Sequence, residues 1–111
     1  MTLDEALRML DEYRGEIDKI DREILILLNA RTMVVEKIGE VKRAMNMPVY
    51  EPRREEEVYQ NVTSHNHGPL PADAVKRVFE RIIDEMRTIQ RERMRRANQQ
   101  SQAGVSGERS E

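Results

Sequence analysis

Residues 10–45 read LDEYRGEIDKIDREILILLNARTMVVEKIGEVKRAM. Their apolar members, Leu10, Tyr13, Ile17, Ile20, Ile24, Leu27, Val34, Ile38, Val41 and Met45, follow one another mostly in steps of three and four. That spacing predicts one long helix with a buried stripe. One stripe position breaks the pattern. After Leu27 the next place on the stripe is Arg31, flanked by Leu28, Met33, Val34 and Val35. A guanidinium stays charged and needs an anionic partner when buried, yet positions 27, 28, 34 and 35 carry no acid. A bound anion is therefore a candidate partner for Arg31.

Outward from this stretch, Thr2 and Glu5 form a capping-box pair at the N-terminal end. Asn46-Met47-Pro48 supplies the first stop signal, so the helix is expected over about residues 3–45. Gly15 and Gly39 are interior glycines, and Gly39 leaves room for close approach of a backbone or ligand. At 1.5 Å per residue such a helix runs roughly 60 Å, whereas a compact domain of this size has a radius of gyration of about 13 Å. Its own chain cannot wrap it, and a second copy is expected to cover part of the stripe.

The remaining chain predicts two further helices. Glu51 stands at a cap position before Pro52, opening a helix over about 51–65 with Val58, Tyr59 and Val62 inward. Asn66-His67-Gly68-Pro69 breaks it. Pro71 and Asp73 open a third helix, about 71–97, with Val75, Val78, Phe79, Ile82, Ile83, Met86, Ile89 and Met94 apolar and Gln90 interrupting their stripe. Together residues 1–97 form one domain. The polar segment 98–111 is expected to be disordered.

Composition narrows the function. The chain has 111 residues, 38% hydrophobic and 36% charged, the balance of a helical protein with little core of its own. It has no cysteine, so thiolate metal sites and disulfides do not arise. The net charge is −2 with alternating signs, which suggests neither a nucleic-acid nor a membrane surface, and a cytoplasmic location is expected. Ser64 beside His65 has no carboxylate nearby to complete a nucleophilic triad, and His65 with His67 lacks further ligands, so neither a metal nor another cofactor is expected. What remains is a set of cations and amide donors on helical faces. Arg31 and Lys42, eleven residues apart, share a face at a separation of roughly 16 Å, which leaves room for one small dianion between long side chains. Arg14, seventeen residues before Arg31, stands about 25 Å away along the same rod and cannot reach that place from its own helix.

Taken singly, Arg14, Lys42 and Arg54 default to solvated surface cations, Glu55 to a first-turn carboxylate, and Met86, Met33 and Tyr59 to core. Gln90 alone could equally fix helix register. In combination, Arg14, the run Leu-Leu-Asn-Ala-Arg31, Ile38-Gly39, Val41-Lys42, Pro48-Val49, Arg54-Glu55 and the segment from Phe79 through Ile82-Ile83 to Gln90 resemble the all-helical class of chorismate mutase. The resemblance covers about residues 5–95 and is carried by the joint spacing of Arg31, Lys42, Glu55 and Gln90. It implies an all-α, three-helix protomer with one very long N-terminal helix, paired in an intertwined homodimer that converts chorismate to prephenate in aromatic amino-acid synthesis. By that similarity Arg31 pairs one substrate carboxylate and Arg14 of the partner chain the other. Lys42 bridges carboxylate and ether oxygen, Gln90 donates to the ether oxygen, Glu55 and the backbone at Glu51 hold the ring hydroxyl, and Arg54 supports the pocket. Met86 departs from the pattern, standing where relatives commonly carry a serine near a carboxylate. Two other readings fit the same residues: an isochorismate–pyruvate lyase on this fold, and a non-catalytic helical dimer that docks on an aromatic-pathway enzyme.

Overall fold

A computed structural model describes residues 1–109, with side chains through residue 102. Three helices follow one another, α1 Leu3–Ala44, α2 Pro52–Ser64 and α3 Ala72–Arg109, and the described residues contain no strand.

The start of α1 is set by the capping box. Thr2 Oγ1 accepts from Glu5 N at 3.2 Å, and Glu5 Oε2 accepts from Thr2 N at 3.3 Å, so two backbone donors without helical partners are satisfied reciprocally. Its end is set by Asn46, whose φ of 53° lies in the left-handed region. Met47 N donates to Lys42 O at 2.7 Å and Asn46 N to Arg43 O at 3.3 Å, the paired bonds of a Schellman motif. Asparagine takes this conformation more readily than residues with bulkier side chains. The chain thus turns back over the last turn of α1, and that turn carries Lys42.

By contact the chain divides into two units, Met1–Val34 and Val35–Glu111. The first unit is helical from Leu3 onward, and its stripe residues Leu10, Tyr13, Ile17, Ile20, Ile24 and Leu27 are 44% to 69% exposed. No second element within that unit covers them.

The second unit holds the end of α1 with α2 and α3, and α2 packs against α3. Its buried apolar residues are Val35, Val75, Ile83 and Met86. Pro52 occupies the first turn of α2, where a missing N–H costs nothing, and Glu51 is its N-cap without a side-chain capping bond. Val75 N donates to Pro71 O at 3.1 Å at the start of α3. The sequence predicts that α3 ends near residue 97 and that a disordered tail follows. Instead α3 continues to Arg109, so 98–109 are helical; residues 110 and 111 lie outside the described residues. Asn98 to Ala103 contain neither glycine nor proline, so polar composition there left no signal that stops a helix.

Candidate active site

Two buried polar side chains define the site within the second unit. Lys42 is 8% exposed and Gln90 9% exposed, and Val35, Ile83 and Met86 of the same unit are buried as well. Lys42 projects from the last turn of α1, and the Schellman turn brings the connector back over it. Its Nζ donates to Val49 O at 3.1 Å and to Gln90 Oε1 at 3.4 Å, and it pairs with Glu51 Oε1 at 2.5 Å. An ammonium has three N–H groups and accepts nothing. Three oxygens therefore satisfy it, one each from the connector backbone, α3 and the cap of α2. Glu51 makes no capping bond because its carboxylate is drawn to Lys42.

The Lys42 contact fixes the orientation of Gln90. Only the carbonyl end of the amide can face an ammonium, so its NH2 end is turned away from Lys42. The Gln90 stem packs over Gly39 of α1, where a Cβ would meet Gln90 Cγ at 3.7 Å, an ordinary van der Waals contact. A cleft of about 240 Å³ borders Gln90 without including Lys42. Glu36, Glu40, Arg43 and Arg93 line it, and its balanced charges do not favour a dianion.

A second polar cluster joins α2 to α3. Arg87 Nη2 donates to both oxygens of Glu55, at 2.6 Å to Oε1 and 2.7 Å to Oε2, while Nε donates to Oε2 at 3.2 Å. Arg87 also stands 3.4 Å from Asp84 Oδ1 and lies over the Tyr50 ring, 5.1 Å from its centroid. Hydrogen bonding to Glu55 holds the guanidinium above its usual pKa against the opposing effect of burial, so it is charged at every working pH.

Residues 13–91 match the family model described as chorismate mutase type II. The chain belongs to the type II chorismate mutase family. It is 40% identical over 78 residues to the bifunctional chorismate mutase/prephenate dehydratase of Aquifex aeolicus, covering 67% of this chain and 22% of that protein. The chain thus spans only about a fifth of that relative's length. Its fold is similar to form II of the chorismate mutase from Thermus thermophilus, with a TM-score of 0.73 and 32% identity over 75% of this chain and 94% of that one. It is likewise similar to the Helicobacter pylori chorismate mutase solved in complex with prephenate, with a TM-score of 0.71 and 26% identity over 77% and 92% of the two chains.

Among the residues that carry the family resemblance, the second unit brings together Lys42, Gln90 and Glu51. Glu55 is held by Arg87, and Met86 is buried at 6% exposure. Arg54 is not brought to them. It is exposed and pairs with Glu57 at 3.4 Å, one turn along α2. In the first unit Arg14 is exposed, whereas Arg31 is half-buried and engages a partner within the chain, so its place in the stripe does not by itself require an outside anion. His65 Nδ1 lies 2.7 Å from Asn61 O, and the described residues contain no group of three or more His, Cys, Asp or Glu arranged to hold a metal. No described helix is long and apolar enough to cross a membrane.

Sequence reading missed Arg87 and Tyr50. A signal for Arg87 was present, because Ile83, Arg87, Gln90 and Met94 follow in steps of four, three and four. Arg87 interrupts the inward stripe of α3 just as Arg31 interrupts that of α1.

Proposed function

We propose that the chain is a homodimeric chorismate mutase that rearranges chorismate to prephenate without a cofactor. The buried Lys42–Gln90 contact carries this reading. The rearrangement breaks a C–O bond and makes a C–C bond within one molecule. An enzyme therefore needs only to hold the reactive conformer and stabilise negative charge growing on the ether oxygen. Lys42 and the NH2 end of Gln90 are donors of the required kind, and burial strengthens both.

Lys42 spends its three N–H groups on Val49 O, Gln90 Oε1 and Glu51 Oε1. Of its three partners Glu51 is the one whose side chain is 47% exposed, so the substrate displaces that carboxylate and leaves the Gln90 contact intact. Lys42 is matched by Glu51 and Arg87 by Glu55, and Arg54, outside the cluster, by Glu57. A dicarboxylate therefore needs positive charge from elsewhere. The resemblance assigns it to Arg31 and to Arg14 of a partner chain, whose guanidinium forks orient carboxylates as well as bind them. Glu55 and the backbone at Glu51 take the ring hydroxyl. Arg54 supports the pocket only after leaving Glu57, and Met86 replaces a polar contact with an apolar wall.

The exposed stripe of α1 supports the dimer, since a helix with one uncovered apolar face is stable only when another surface buries it. As part of the same reading the protein acts in the cytoplasm. Product analysis tests the proposal: the purified chain is expected to form prephenate from chorismate. Formation of salicylate from isochorismate without prephenate from chorismate would assign it to the lyase reaction, and inertness to both would leave a binding module.

A further inference from the structure

Arg87 has no role in the family pattern by which the site was read, yet it makes a short multiple contact with Glu55. Its guanidinium places three hydrogen bonds on the Glu55 carboxylate, at 2.6, 2.7 and 3.2 Å. It is itself held on the other side by the Tyr50 ring and at its edge by Asp84. Both members of the pair are about four-fifths buried, their side chains 21% and 20% exposed. A carboxylate offers about four lone-pair directions. Arg87 occupies two on Oε2 and one on Oε1, so one acceptor direction remains, on Oε1. Tyr50 adjoins Glu51, so the same guanidinium touches the side chain that precedes the cap and the carboxylate one turn into α2.

We infer that Arg87 is a positioning residue that acts through Glu55, fixing its carboxylate as a single-acceptor receptor for the substrate's ring hydroxyl and fixing the connector at Tyr50 beside it. This rests on the chorismate mutase reading and deepens it. A carboxylate gripped by three hydrogen bonds from one guanidinium keeps one orientation, so the hydroxyl is read by geometry as well as by charge. A glutamate without Arg87 would rotate through several conformers and accept from water as readily as from substrate. Specificity for an O–H donor at that ring position therefore resides in the Arg87–Glu55 pair.

The test compares kcat and KM for chorismate with those for an analogue in which hydrogen replaces the ring hydroxyl. The proteins are wild type, Arg87→Met, Arg87→Lys, Glu55→Gln and the double variant Arg87→Met/Glu55→Gln. The ratio of kcat/KM for chorismate over the analogue is expected to fall about tenfold in Arg87→Met, the value of one charge-assisted hydrogen bond. The fall is expected mainly through KM for chorismate. Arg87→Lys, which keeps the charge without the fork, is expected to lie between wild type and Arg87→Met. The double variant is expected to discriminate no worse than Glu55→Gln alone, because the two residues act as one unit. A parallel loss on both substrates with an unchanged ratio would make Arg87 a brace between helices and overturn the inference, as would losses that multiply in the double variant. Should Arg87→Met fail to fold, the same ratio in Arg87→Lys decides. A wild-type protein that leaves chorismate untouched overturns the activity reading itself, and with it this role for Arg87.

Discussion

Lys42 Nζ donates to Gln90 Oε1 across 3.4 Å, joining α1 to α3 between residues 48 apart in sequence. Because an ammonium only donates, this contact settles which end of the Gln90 amide is turned toward α1. One charged residue therefore orients the neutral one.

Replacing Gln90 by glutamate tests that orientation. At neutral pH a carboxylate at position 90 would accept from Lys42 and have no proton to donate to an ether oxygen, whereas its protonated form would donate. Gln90→Glu is expected to lose activity at pH 7 and regain it as the pH falls, while wild type keeps a nearly flat profile around neutrality. An unchanged neutral rate in the variant would remove Gln90 from the site.

Asn46 is expected to matter for stability through its backbone. Its φ of 53° is accessible to glycine and costs a residue such as alanine about 1 kcal/mol. Asn46→Ala is expected to lower the unfolding free energy by about that amount, and Asn46→Gly to leave it unchanged or raise it slightly. Denaturant melts in which alanine and glycine behave alike would contradict the Schellman account of the α1 terminus.

The dimer proposed from the exposed stripe of α1 predicts concentration-dependent unfolding. A homodimer is expected by light scattering, with a melting temperature that rises with protein concentration. A folded monomer at micromolar concentration would contradict it.

A shared site makes a further quantitative demand. Arg14→Ala and Lys42→Ala are each expected to be nearly inactive, yet to recover about a quarter of the wild-type rate when unfolded together and refolded as an equal mixture. Half the dimers would then be mixed, and each of those would hold one site with both residues and one with neither. A mixture of verified heterodimers as inactive as its components would show that Arg14 does not act across the interface.

Much of the fold could be read from short-range chemistry. Thr2 and Glu5, Asn46 before Pro48, and Pro52 after Glu51 each mark an element end by a mechanism confined to a few residues, and each marks an end in the structure. Gln90 was legible as a polar break in an apolar stripe, and it is buried. The Arg87–Glu55 pair was not, because the two residues stand 32 apart and meet only through the packing of α2 on α3. Periodicity marked α1 as one long helix but put its inward face at Val34, Ile38, Val41 and Met45, which are exposed, whereas the residues of α1 buried in the second unit are Val35, Gly39 and Lys42. The helical run beyond residue 97 was missed because polar composition reports poor burial, which is not the same as a backbone that stops.

The most direct measurement follows prephenate formation from chorismate by wild type and by Lys42→Met. Methionine fills the space of the lysine stem without a charge, and the Glu51 carboxylate it leaves unpaired is 47% exposed and can turn to water. The variant is therefore expected to stay folded while turnover falls by about a hundredfold or more, the usual cost of removing a donor aimed at developing charge. A wild-type protein that forms no prephenate, or a Lys42→Met variant that forms it as fast as wild type, would contradict the account.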